Sequence, residues 1–434
     1  MRKKLGATAT VLVSAMALAA CGSGDSGSAS GGGDDDQITL RVMSATVVEN
    51  PEGDAERAQA EAFMDENPHI NIEFIGTPMN ELYTQLTTMA TGGNVPDVFT
   101  NSPEFYAQAL ELGIVEPLDD LLGEEWIDGF EPATLEQAQI DGSLQFAPFF
   151  TIPMALLYRS DLLEETGLEP PTTWDEFKEV AEALTVDEDG DGTPETYGFA
   201  LVGSNDGSGG SRFIPIMRTF GAAELVEDGD SWSTEFGTPA AEQAFELYGD
   251  LVDAGVVPPG PLQTSYGEAI SLMSTETAAM MVTGSHSMGA IVNQNPDLEG
   301  KLAAVPLPTA PGEDTASALG MLGFSISSTS EHKEAAAEFL KFILNEENQL
   351  AWNEATGRMP ARSDAAATIR ETRPELSGFL DAAEYAFVMP QVPYYANLQV
   401  IAAENYQAVI TGERTPAEAA ADAEARTLQE IESS

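Results

Sequence analysis

Between residues 38 and 100 the apolar positions change period repeatedly. Ile38, Leu40 and Val42 alternate as a strand, and Ala55, Ala58, Ala62 and Phe63 then share one helical face, with Asp54 as the expected cap and Asn67-Pro68 as the stop. Ile70, Ile72 and Phe74 alternate again. Leu82, Leu86, Met89 and Ala90 make a second amphipathic helix closed by Gly92-Gly93, and Val95 to Thr100 reads as a third short strand. Strands alternating with helices imply a mostly parallel sheet covered on both faces, in which ligands bind at the carboxyl ends of strands. Glu49-Asn50 and Asn101-Ser102 fall at two such ends.

The stretch from 141 to 177 organises the rest. Phe146 to Tyr158 is apolar but holds Pro148 and Pro153, each lacking a ladder donor, so two shorter strands joined by a crossing segment are expected in place of one long central strand. Thr173-Trp-Asp-Glu176 is a capping box, and Trp174, Phe177, Ala181 and Leu184 share the face of the helix it opens. Farther on, Thr238 to Ala254 is helical by pattern, Ala278 to Gly284 is a buried strand running into the polar turn Ser285-His286-Ser287, and Ala318 to Ser327 is another buried strand. A long helix is expected over Glu331 to Glu347, with Gly357-Arg-Met-Pro360 breaking the pattern beyond it. Pro390 to Tyr395 presents paired aromatics ahead of a helix from Leu398 to Ile410 and a last, alanine-rich helix.

Length and charge narrow the reading. A chain of 434 residues exceeds one ordinary core, and 18 basic residues against 72 acidic ones, a net charge of −54, disfavour nucleic acid and anionic lipid surfaces as partners. The first 20 residues have a basic start and an apolar run too short to span a bilayer comfortably, which reads as a secretion signal. Leu18-Ala-Ala-Cys21 resembles the lipobox of bacterial lipoproteins, so Cys21 is expected to carry lipid and to become the mature N-terminus. Residues 21–36, nearly all Gly, Ser, Ala and Asp, are a tether. Cys21 is the single cysteine, which rules out disulfides within the chain and cysteine-ligated metal.

Asp187, Asp189 and Asp191, with Gly192 next, imitate the start of an EF-hand loop, and Glu195 lies close by. Gly198 stands where the bidentate glutamate belongs, so an Asx-rich surface turn competes with a structural calcium site. No Gly-x-Ser-x-Gly elbow, His-Glu-x-x-His zinc motif or phosphate-cradling glycine loop is present, and His69, His286 and His332 are far apart in sequence. Two facing carboxylates would suffice for a glycosidase, which leaves a surface-anchored carbohydrate hydrolase as an alternative.

Several segments together resemble the extracellular solute-binding proteins of ABC importers, specifically the family 1 carbohydrate-binding lipoproteins: Asn67 to Glu73, Gly92 to Val98, Asp141-Gly142 with Pro148 and Tyr158, Pro170 to Phe177, Asp189 to Gly192 with Tyr197-Gly198, Thr277 to Met280 with Gly284, and Val305 to Pro308. The resemblance implies an α/β, two-lobed, type II periplasmic-binding-protein-like fold, with the ligand cleft between lobes joined by crossing strands. It implies a first lobe of residues 37–150 and 320–378, and a second of residues 151–319 and 379–434. The implied protein is a monomer and not an enzyme, needs no cofactor, sits on the outer face of the membrane through its lipid, and delivers a sugar or oligosaccharide to permease subunits. The same fold used for a non-sugar solute is a further alternative.

The contacts carried over are Glu49, Asn50, Asn101 and Ser102 in the first lobe, and Phe149 and Phe150 beside the first crossing. In the second lobe they are Ser211, Arg212, Ser285 and His286, the last replacing a stacking tryptophan common in the family, with Tyr394 and Tyr395 as late aromatic plates. Thr151 and Ile152 stand where oligosaccharide binders of the family place a carboxylate, which implies a different ligand.

Overall fold

A computed structural model describes residues 37–433 except 141, 230, 388 and 391; the expected signal segment, tether and Cys21 lie outside the described residues. Strand β1 (Ile38–Ser44) pairs in parallel with β2 (Ile70–Gly76) and with β3 (Val98–Asn101), as the changes of period require. Helix α1 (Glu52–Glu66) starts two residues before Asp54, directly after Pro51, so Asp54 lies in its first turn and does not cap it. Helix α2 (Met79–Thr91) returns the chain to β3 and buries Leu82 and Leu86.

The central stretch departs from expectation. Strand β4 (Ala147–Arg159) runs uninterrupted through both prolines. Its first half pairs antiparallel with a later strand, Ser317–Ser327, and its second half with the strands Ala278–Gly284 and Leu302–Val305. Each proline occupies a place where a ladder donor is dispensable. Pro148 faces Gly323 where the register shifts past Phe149, and Pro153 is the last residue paired to 317–327 before the partners change. At Met154 the ladder is replaced by a side chain: Ser317 Oγ accepts from the Met154 N–H at 3.0 Å and donates to its carbonyl at 2.9 Å. Gly323 is required here, since an added Cβ would lie 2.3 Å from the Ala147 carbonyl oxygen.

β4 is thus the spine of two lobes. We number the strands after it β5 (Tyr197–Phe199), β6 (Ala278–Gly284), β7 (Leu302–Val305) and β8 (Ser317–Ser327); the path through the sheet is β2-β1-β3-β8-β4-β6-β5, with β7 also on β4. In the first lobe Leu40, Val42, Phe63, Phe149, Phe150, Phe324 and Trp352 form one core, and Phe149 lies 4.4 Å from Trp352 between ring centroids. In the second lobe the period-two alternation of β4 sends Leu156 and Tyr158 into one core and Ala155 and Leu157 into another, covering the sheet on both faces.

The capping box at Thr173 forms as expected, and Trp174 donates its indole N–H to Thr219 Oγ1 at 2.8 Å. The helix expected over 331–347 is two helices, Lys333–Ile343 and Glu346–Thr356, because the Asn345 side chain caps the second by accepting from the Asn348 N–H. Ala361 packs in the same core as Phe149 and Trp352, whereas Met359, Ala366, Ile369 and Leu376 pack in the core that holds Ala155 and Leu157.

Candidate functional site

The loop after β1 and the turn after β6 meet the returning chain at Gly357-Arg358. β6 ends at Gly284 beside the crossing, where an added Cβ would come within 2.4 Å of Ile152 Cγ2. The chain leaves the strand there through Ser285 into the helix His286–Gln294. Gly357, left-handed at φ 70° and closing the helix Glu346–Thr356, brings its backbone against His286; a Cβ on it would sit 3.3 Å from His286 Cα.

Arg358 then reaches into the same place. Its guanidinium lies 4.6 Å from the centroid of the Phe150 ring and pairs through Nη2 with Glu52 at 3.0 Å and Glu49 at 3.5 Å. Its Nε and Nη1 are buried with no hydrogen-bond partner among the described residues, as are His286 Nδ1 and Ser285 Oγ. Leaving one such group unsatisfied costs about 1–3 kcal/mol, and native interiors hold few of them.

His286 is neutral at physiological pH, its pKa pushed down to about 4 by burial and then by the charges of Arg358 and Arg212. The Nε2 side is engaged at 2.8 Å with the Tyr266 hydroxyl, which also meets Ser287 Oγ at 2.7 Å. Arg212 backs this chain: it stacks 4.5 Å over the Tyr266 ring and donates to the carbonyls of Val282 and Ser208, and burial lowers its pKa. The site therefore offers fixed donors, a neutral imidazole and two carboxylates, a set suited to holding hydroxyls.

The structure brings Glu49, Asn50, Ser285 and His286 together, with Phe150 beneath Arg358 and Arg212 behind Tyr266. Among the other expected contacts, Phe149, Asn101, Ser211, Tyr394 and Tyr395 are engaged by other protein groups. Phe149 is core, packed on Trp352 and Phe324. Asn101 is buried and braces its own loop, accepting from the Ser102 N–H and donating to Ser325 Oγ, each at 2.9 Å; Ser102 is buried with its hydroxyl unpartnered. Ser211 donates to the Ser208 carbonyl one turn back. Tyr394, expected as an exposed plate, is 6% exposed in the second-lobe core, because its helix docks that face inward. Tyr395 is half-buried and donates to Glu224 at 2.9 Å, which also pairs with Arg218 at 2.8 Å; burial and then the Glu224 charge hold its hydroxyl protonated. Reading residues singly missed Arg358, Glu52 and Tyr266; the helix stop at Gly357 was the one local signal for the first.

Asp187, Asp189 and Glu195 gather within 4.8 Å of one another on the surface, while Asp191, expected in the same set, does not join them. Their oxygens already accept from the N–H groups of Gly190, Gly192, Asp191 and Glu188, the pattern of an Asx-rich turn.

A cavity of about 830 Å³ opens beside the site, bordered by Asn50, Glu52, Ser285, His286 and Gly357 and continuing along the helix His286–Gln294. Comparison with known proteins agrees with this architecture. The sequence model of a family described as bacterial extracellular solute-binding protein matches residues 49–350. A putative binding protein of Brucella abortus is 27% identical over 372 residues, 84% of this chain and 87% of its own. The mannitol-binding protein of Pseudomonas aeruginosa is 25% identical over 410 residues, 86% and 89% of the two chains. Among solved structures, the GacH receptor of Streptomyces glaucescens, determined unliganded and with acarbose, superposes with a TM-score of 0.73 at 21% identity, covering 91% of this chain and 99% of that one.

Proposed function

Because the chain belongs to the bacterial extracellular solute-binding protein family, we propose that it captures a sugar or short oligosaccharide between its two lobes and hands it to the permease of an ABC importer. The observation that carries this reading is that Arg358 Nε and Nη1, His286 Nδ1 and Ser285 Oγ are all buried without protein partners in segments that Gly357 brings against one another. A polyol supplies both donors and acceptors, and the neutral imidazole and the hydroxyl can each give or take a hydrogen bond. The relative named for mannitol and the neighbour solved with acarbose support a carbohydrate over other solutes.

Lipid attachment at Cys21 would hold the protein at the outer membrane face, with residues 21–36 as the tether; among the described residues no helix is long and apolar enough to cross a membrane. A calcium ion at Asp187, Asp189 and Glu195 would be structural and take no part in the cleft. No bond is made or broken in this scheme: closure of the lobes around the ligand is the working step. Native mass spectrometry of the purified chain, followed by calorimetry with a panel of sugars, tests it. A saturable one-to-one complex is expected, and a co-purified peptide or metal in place of a sugar would overturn it.

A further inference from the structure

Three hydroxyls and the His286 ring form a chain of hydrogen bonds. Thr283 Oγ1 meets Ser287 Oγ, Ser287 Oγ meets the Tyr266 hydroxyl at 2.7 Å, and that hydroxyl meets His286 Nε2 at 2.8 Å. Among the described residues these three hydroxyls meet no other polar group. Burial and the charges of Arg358 and Arg212 keep the imidazole neutral, so it carries a single ring proton. Each hydroxyl carries one more, and these protons outnumber the hydrogen bonds of the chain by one.

Where the spare proton lies decides the tautomer. With the ring proton on Nε2, the imidazole donates to Tyr266 and a hydroxyl proton is stranded within the chain. Thr283 and Ser287 are fully buried, and neither they nor Tyr266 border the cavity. With the ring proton on Nδ1, Thr283 donates to Ser287, Ser287 to Tyr266 and Tyr266 to Nε2. The spare donor is then Nδ1–H, buried without a protein partner on a residue that does border the cavity. Gly284 keeps that side of the ring clear, since a Cβ there would lie 3.1 Å from Nδ1. A buried donor without an acceptor is costly, and only at Nδ1 can a solute oxygen supply one.

We propose that Tyr266 is a positioning residue whose hydroxyl holds the ring proton of His286 on Nδ1, so that the imidazole gives a hydrogen bond to the ligand and takes none. Arg212, stacked 4.5 Å over the Tyr266 ring, keeps the phenol in place. Arg358 Nε and Nη1 are donors as well, so this part of the site selects a ligand edge rich in acceptor oxygens. That consequence rests on the sugar reading above; the tautomer does not.

The test is long-range proton–nitrogen NMR of the histidine-labelled full chain at pH 7, which reports which ring nitrogen is protonated, with the His286 signals identified by their loss in His286→Asn. Wild type is expected as Nδ1–H. Tyr266→Phe, which keeps the ring beneath Arg212, should shift His286 toward Nε2–H. Calorimetry with glucose, mannose, mannitol, maltose, cellobiose and maltotriose should show at least about tenfold weaker binding of the preferred sugar to Y266F, and that loss should vanish in a His286→Ala background. An Nε2–H wild type overturns the proposal whether or not Y266F folds, as does a tautomer unmoved in folded Y266F. Undiminished sugar affinity in Y266F, or a loss that persists without His286, overturns the role in recognition and leaves the sugar reading standing. Silence of wild type towards every sugar overturns that reading and leaves the tautomer to be judged by NMR alone.

Discussion

Arg358→Gln removes the charge that ties the loop after β1 to the turn after β6. In the folded chain Arg358 pairs with Glu52 at 3.0 Å, rests over Phe150 and keeps two donors free of protein partners. A hydrogen bond from a charged donor contributes about 1.5–3 kcal/mol, and two would give about 3–6 kcal/mol at most. The guanidinium is already shared with two carboxylates, which weakens what it gives a neutral hydroxyl. That brings the expected loss below this range, to about 2–3 kcal/mol, which corresponds to a roughly 30–150-fold rise in Kd. The substitution also leaves Glu52 without its partner, costing about 1–2 kcal/mol of stability, a drop that a denaturant melt would register without loss of the fold.

A second readout tests whether the Arg358 charge lies beside His286. Arg358 is one cause of the depressed His286 pKa, so in R358Q that pKa must rise from about 4 toward the ordinary value of 6.5. Calorimetry with the tightest-binding sugar gives the first quantity, and histidine-resolved NMR titration gives the second. A Kd within about threefold of wild type refutes the placement of Arg358 at the ligand, and an unmoved His286 pKa in a folded variant refutes its placement beside His286.

Three other predictions follow from neighbouring geometry. Glu56 is fully buried, accepts from Ser44 and Thr46 at 2.7 Å each, and has its pKa raised by burial to about 7 from 4.5. The folded chain holds this proton more tightly than the unfolded chain does, so stability present below pH 4.5 is lost as pH rises through 7, by about 3 kcal/mol in all; E56Q should abolish this slope in a pH series of urea melts. Tyr394→Ala should destabilise by about 3–5 kcal/mol, as a core truncation does, and a variant that stayed fully stable would return the ring to the surface. Tyr395→Phe strips one partner from the buried Glu224 and should cost about 1–3 kcal/mol in a thermal melt, whereas Arg218→Ala on top of it should add less than it does alone, since the three groups form one network.

What could be read in the sequence was whatever local pattern decides. The changes of period gave β1, α1, β2, α2 and β3 in order, and Thr173 with Glu176 gave a helix start to the residue, because those partners lie within one turn. The prolines of β4 misled for the same reason. Their tolerance depends on Gly323 and Ser317, far along the chain, which supply a bulge and a side-chain substitute for the ladder. Tyr394 and Tyr395 sit between prolines and a helix, but only the docking of that helix decides which ring is buried. Asn101 falls at the predicted strand end, yet its amide is spent on Ser102 and Ser325. Arg358 carried no motif at all: its role comes from Glu52, Phe150 and His286, three segments that only the folded chain brings together.

The central claim is that the two lobes hold a sugar and leave it intact. Titrating the sugar panel into the full chain in a calorimeter tests this most directly. The account predicts at least one sugar with a saturable one-to-one isotherm and no heat once the sites are filled. Flat traces for every sugar would contradict binding, and heat continuing with time after saturation, the mark of turnover, would contradict a receptor in favour of a hydrolase.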